Sequence, residues 1–97
     1  MKAVVPKRLT VRRGEPFEIT LSEPGATGYL YEPHFDPNFI SYEGVNRTIS
    51  RDVGGGSLAI FRFKTRTVGT SEICFRLTAP WDPEPADEKR VRLDIGA

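Results

Sequence analysis

The chain has one cysteine, Cys74, and one histidine, His34, among its 97 residues. A single cysteine excludes an internal disulfide framework and any cysteine-rich zinc site. Long apolar runs are missing as well. Nothing approaches the roughly 18–20 residues that a membrane-spanning helix needs. The opening Met1-Lys2-Ala3-Val4-Val5-Pro6-Lys7-Arg8 is charged but has no apolar h-region. The chain is therefore expected to be cytoplasmic, or exported with its signal absent from this sequence. Excess charge of one sign is also lacking: 14 Lys and Arg face 13 Asp and Glu, for a formal net charge of +1. A nucleic-acid binder normally carries a strong basic excess, so neither a nucleic acid nor a membrane is expected as partner. At this length one domain, 1–97, is expected, because two would each be too small to bury a core. The hydrophobic share of 38% and charged share of 28% are ordinary for a folded soluble chain.

Glycine and proline, by contrast, are plentiful, nine and eight respectively, and leave little room for long helices. Between them the residues alternate with period 2. Leu9 and Val11 form one such face, and Phe17, Ile19 and Leu21 the next. Ala59, Phe61 and Phe63 oppose Leu58 and Ile60, with both faces partly apolar. Ile73, Phe75 and Leu77 repeat the pattern, as do Val91, Leu93 and Ile95. Tyr29–Glu32 and Ile40–Glu43 are shorter strand segments, separated by a turn-like Pro33–Asn38. About seven short strands with frequent turn signals predict an all-β, immunoglobulin-like β-sandwich of seven to eight strands.

In sandwiches, function concentrates in the loops at one end. Three loops have unusual composition: Ser22–Tyr29, Asp52–Ser57 and Thr78–Pro85, the last holding the only tryptophan, Trp81. In immunoglobulin-like order these are the BC, DE and FG loops. Glycine and proline make turns in any case, but three stiffened loops on one rim form a pre-ordered surface. An enzyme is not expected. His34 reads as a surface or turn residue and Cys74 as a mid-strand one, so a Cys-His dyad lacks support. No metal or other cofactor is expected. The acidic tract Asp82, Glu84, Asp87 and Glu88 fits no EF-hand spacing and reads as a solvated edge. Asn46-Arg47-Thr48 is a glycosylation sequon, meaningful only in a eukaryotic secreted chain.

Several short motifs then point one way. Leu9-Thr10-Val11, Gly14-Glu15 and Phe17-Glu18-Ile19 open the chain; Thr27-Gly28-Tyr29, Gly54-Gly55-Gly56-Ser57, Val68-Gly69-Thr70 and Pro80-Trp81 follow in order. With these the sequence resembles the chagasin-type protein inhibitors of papain-like cysteine peptidases over nearly its whole length. It departs from them at three places. Aligned without a gap, Pro24-Gly25 falls on the family's Asn-Pro, although a one-residue shift sets Pro24 on its proline; Ala26 falls on its first loop threonine, and Ala79 on the arginine of its Arg-Pro-Trp motif.

The resemblance implies a reversible, non-covalent, monomeric inhibitor that occludes the cleft of a papain-like cysteine peptidase. In that reading Pro24, Gly25, Ala26, Thr27, Gly28 and Tyr29 meet the enzyme's catalytic Cys-His pair. Gly54, Gly55, Gly56 and Ser57 line the non-primed side, and Ala79, Pro80 and Trp81 cover the primed side. The competing reading is a non-inhibitory binding module of the same fold, for a protein or for a carbohydrate stacked on Tyr29, Tyr31 and Trp81.

Overall fold

Alternation of apolar and polar residues becomes seven strands in the computed structural model, which describes residues 5–24, 28–49 and 56–97. They are β1 (Arg8–Arg12), β2 (Pro16–Glu23), β3 (Leu30–His34), β4 (Ile40–Ile49), β5 (Ser57–Thr65), β6 (Gly69–Ala79) and β7 (Asp82–Gly96). No helix occurs among the described residues. One sheet runs β1-β7-β6-β3 and the other β2-β5-β4. The result is the immunoglobulin-like sandwich that the periodicity implies.

The inward faces are the predicted ones. Ile19, Leu21, Ala59, Phe61 and Phe63 of the three-stranded sheet are buried, as are Ile73, Phe75, Val91 and Leu93 of the four-stranded sheet. Phe75 joins the layers, with ring centroids 5.0 Å from Phe61 and 6.1 Å from Phe63. Such aromatic pairs add about 0.5–1.5 kcal/mol each beyond the area they bury. At the end of the sandwich where β1 turns into β2, buried Thr65 donates its hydroxyl to the Arg12 carbonyl (2.5 Å) and accepts the Glu15 N–H (3.2 Å). That pins the crossing between sheets and satisfies a buried hydroxyl. β1 lies parallel to β7, with Leu9 opposite Leu93 and Val11 opposite Ile95.

Two expectations need correction. The segment Thr78–Pro85 is not a long loop. β6 continues to Ala79 and β7 begins at Asp82, so only Pro80 and Trp81 lie between paired residues. Pro83 and Pro85 belong to β7 because the ladder is irregular there. The register passes from Ala79↔Asp82 to Leu77↔Asp87, setting Pro83–Ala86 against Thr78 alone. A bulge of this kind removes the demand for the N–H that proline lacks. Pro33 likewise is a strand residue of β3, opposite Phe75. β3 is an edge strand, and Pro33 turns its missing donor toward the unpaired side, where no ladder bond is lost.

Candidate functional site

The rim is built around the turn between β6 and β7. Ala79 pairs with Asp82, which leaves Pro80 and Trp81 at the tip. Trp81 is 64% exposed, an expensive placement for the largest apolar side chain unless something covers it. Its indole is nevertheless fixed. Gly28, the first described residue after the BC loop tip, has φ +82, and its missing side chain makes room for the ring. A Cβ there would lie 3.0 Å from Trp81 Cζ3 and closer still to Cη2. Tyr29 meets the indole edge-on, with centroids 5.6 Å apart and planes at 78°. The Tyr29 hydroxyl donates to Asp82 (2.9 Å) on the far side of the turn. Asp82 also accepts the Glu84 N–H (3.1 Å), which shapes the start of β7. The Asp82 hydrogen bond, more than burial, holds the Tyr29 phenol above its ordinary pKa. Gly28, Tyr29, Trp81 and Asp82 thus form one unit joining the BC and FG connections.

A second tyrosine ties the same strands below the rim. Tyr31 is buried and donates its hydroxyl to Asp87 (2.7 Å). The Tyr31 bond is the main reason that the Asp87 carboxyl titrates below its usual range, and Lys89 at 3.3 Å adds to it. Burial, then the Asp87 bond, raises the Tyr31 phenol well above its usual range. A lowered carboxyl pKa contributes stability that is present above the unfolded value of about 3.9 and lost as pH falls through the folded value. A raised phenol contributes stability that persists below about pH 10 and fades above it. Asp87→Asn is therefore expected to flatten the fall of unfolding free energy between about pH 5 and pH 2. Urea melts across that range would show it, and parallel curves for the two proteins would refute the assignment.

The DE connection leaves from the neighbouring sheet. β5 begins at Ser57, which pairs with Glu23 at the end of β2 and Ile49 at the end of β4. Gly56 packs so near the Glu23 backbone that a Cβ would lie 2.5 Å from the carbonyl oxygen, a spacing only glycine permits. Between the two sheets an open groove of about 570 Å³ is lined by residues including Gly28, Leu30, Glu32, Arg47, Thr78 and Pro80.

Of the predicted site residues, the structure brings Gly28, Tyr29, Pro80 and Trp81 together. Pro24 lies exposed beyond β2, and Gly56 and Ser57 are half-buried at the base of the DE connection. Ala79 is buried at the end of β6 rather than free in a loop. Gly25, Ala26, Thr27, Gly54 and Gly55 lie outside the described residues. Sequence reasoning gave Asp82 no role beyond its place in an acidic edge, and passed over Leu30, which is 46% exposed beside the groove. Leu30 falls within a β-like run, and alternation alone did not tell its outward face from an inward one.

The carbohydrate platform loses its geometry. Tyr31 is buried and Tyr29 stands nearly perpendicular to Trp81, so the three rings present no common flat face. His34 and Cys74 are nearer than expected. His34 is exposed on the surface as expected, as the last residue of β3 and not in a turn, and it faces Cys74 across the β3–β6 ladder. His34 contacts Glu32 (3.8 Å), and both lie on the sheet, away from the β6–β7 turn. The acidic residues are engaged rather than gathered: Asp82 and Asp87 serve the tyrosines, and Glu88 pairs with Arg76 (3.4 Å) and Arg90 (3.5 Å). Among the described residues no cluster of His, Cys, Asp and Glu is placed to hold a metal ion.

Comparison with known proteins agrees with this architecture. The family model described as chagasin family peptidase inhibitor I42 matches residues 10–95. Among solved structures, the chain is similar to the cysteine protease inhibitor EhICP2 from Entamoeba histolytica, with a TM-score of 0.81 and 20% identity, covering 94% of this chain and 87% of that one. It is also similar to the solution structure of amebosin, with a TM-score of 0.56 and 22% identity, covering 91% of this chain and 87% of that one. At such identities these likenesses show the shared fold. No curated protein matches the sequence. The family match spans nearly all of the sandwich, from within β1 to within β7, and the chain belongs to the chagasin family of peptidase inhibitors.

Proposed function

We propose that this chain, acting as one domain and a monomer, inhibits papain-like cysteine peptidases by filling the active-site cleft with the ends of its BC, DE and FG connections. The observation that carries the reading is Trp81, which is exposed yet held in one orientation by Gly28, Tyr29 and a two-residue turn. A rigid exposed aromatic gives contact area at little ordering cost, which is what an interface anchor requires. EhICP2 is described as a cysteine protease inhibitor, which points to the same peptidase class. In this reading Trp81 and Pro80 cover the primed side of the cleft, from a turn that buried Ala79 supports. Pro24 to Tyr29 lie over the catalytic pair, and Gly54 to Ser57 line the non-primed side through backbone hydrogen bonds. A side-chain-free approach suits an enzyme wall that offers its own backbone groups.

The mechanism is occlusion. None of the rim side chains described above is an activated nucleophile or electrophile, so the proposed contact forms no covalent bond. Titration into papain with a fluorogenic peptide is expected to give reversible inhibition, competitive with substrate and submicromolar. Trypsin should be unaffected, and the mass of papain unchanged. Covalent adducts, equal potency against trypsin, or indifference of papain would each overturn the proposal.

A further inference from the structure

Glu23 and Arg47 carry a role that neither the loop motifs nor the rim aromatics suggest. Glu23 is the last residue of β2, and its side chain is wholly buried. A buried carboxylate is costly unless its lone pairs are matched by donors. Arg47, on β4, supplies two: Nε to Oε1 at 2.8 Å and an Nη to Oε2 at 3.3 Å. The Tyr31 backbone N–H supplies a third at 2.7 Å. Arg47 also donates to the Tyr31 carbonyl (3.4 Å). Tyr31 belongs to the edge strand β3, and its N–H and C=O both turn to the unpaired side. The carboxylate and guanidinium thus occupy the place of a neighbouring strand. The guanidinium is braced from within by the Phe61 ring, 5.9 Å from its centroid.

These contacts span both loop stems. Glu23 and Tyr31 flank the BC connection, while Arg47 and Gly56 flank the DE connection. Gly56 abuts the Glu23 carbonyl. We propose that the Glu23–Arg47 pair is the positioning device that sets the BC and DE stems at a fixed separation, so that both stems are already ordered when the rim meets a peptidase. The binding part of this inference rests on the function proposed above; the stem-ordering part does not. Glu23 and Arg47 are positioning residues and need not touch the enzyme.

The test uses Glu23→Gln, which keeps the shape and loses the charge, and Arg47→Lys, which keeps the charge and loses the fork. Amide hydrogen exchange is followed in the free protein, with Phe75 and Val91 as core references. Each variant is expected to speed exchange about tenfold at Tyr29 and Tyr31 and also at Ile49 and Ser57, with the core amides unchanged. Ile49 is decisive for Glu23→Gln, because Ser57 is itself the ladder partner of Glu23 whereas Ile49 is not. Acceleration confined to Tyr31, or spread equally over core and stems, overturns stem positioning. The inhibition constant for papain should rise about tenfold in both variants. An unchanged constant alongside loosened stems overturns the binding role. If wild type fails to inhibit papain, the proposed function falls, and exchange still decides whether the pair orders both stems. Should Glu23→Gln not fold, Arg47→Lys decides on the same readings.

Discussion

Trp81→Ala is expected to weaken inhibition of a papain-like peptidase by about thirtyfold or more, near 2 kcal/mol, while the fold loses little. The indole is 64% exposed in the free protein, so most of its apolar surface is still in water and available to be buried by a partner. What it contributes to the free molecule includes the contact over Gly28 and the edge-on and hydrogen-bonding contact with Tyr29. Contacts of that kind are worth about 0.5–1.5 kcal/mol, a few degrees in Tm for a domain this size. Paired inhibition and thermal-melt measurements separate the two quantities. A variant that melts far below wild type, yet inhibits normally per folded molecule, would show that Trp81 serves the fold instead.

Gly28→Ala should cost more, in both quantities. At φ +82 a Cβ carries about 1–2 kcal/mol of backbone strain. The same Cβ cannot coexist with the indole, so Trp81 must move or the backbone must shift. Loss of inhibition is expected to reach about a hundredfold, since the anchor and the end of the BC connection are displaced together. The effect should not add to that of Trp81→Ala. Once the indole is gone the steric part of the cost disappears, and the double variant should bind better than the product of the two single losses implies. Inhibition constants for the four proteins of this cycle provide the check. Strict multiplication of the two losses would mean that Gly28 acts through its backbone angle alone.

Much of the fold was legible because burial and strand geometry share a period of two. Phe61, Phe63 and Phe75 announce their inward faces by alternation alone, and the glycines and prolines mark where the faces must end. Failure came where a local signal met a tertiary exception. Pro83 and Pro85 read as loop because proline lacks an N–H, yet the β6–β7 bulge relieves that requirement. Pro33 read as a turn for the same reason, and an unpaired edge accommodates it. In the candidate site, Trp81 and Gly28 were recognisable as types of residue suited to a rim. Their mutual contact was not, because it joins two connections far apart in sequence. Glu23 and Arg47 were harder still. A glutamate at a strand end and an arginine inside a sequon look like surface charges, and only the burial of Glu23 and the bonds of both to the Tyr31 backbone reveal them.

The parallel pairing of β1 with β7 has a kinetic side. Leu9 meets Leu93 only after almost the entire chain has been drawn together, and the entropy of closing a loop grows with its length. The hairpin of β6 and β7 closes over two residues, so its cost is the smallest available and its nucleation can precede the rest. The order of assembly is thus expected to run from the Pro80–Trp81 tip toward the chain ends. On loop-closure grounds the tip that carries the anchor is expected to form early, and the seam between first and last strands to close late. Damage to that seam is accordingly expected to speed unfolding more than it slows folding, and to leave the geometry at the tip to the β6–β7 hairpin.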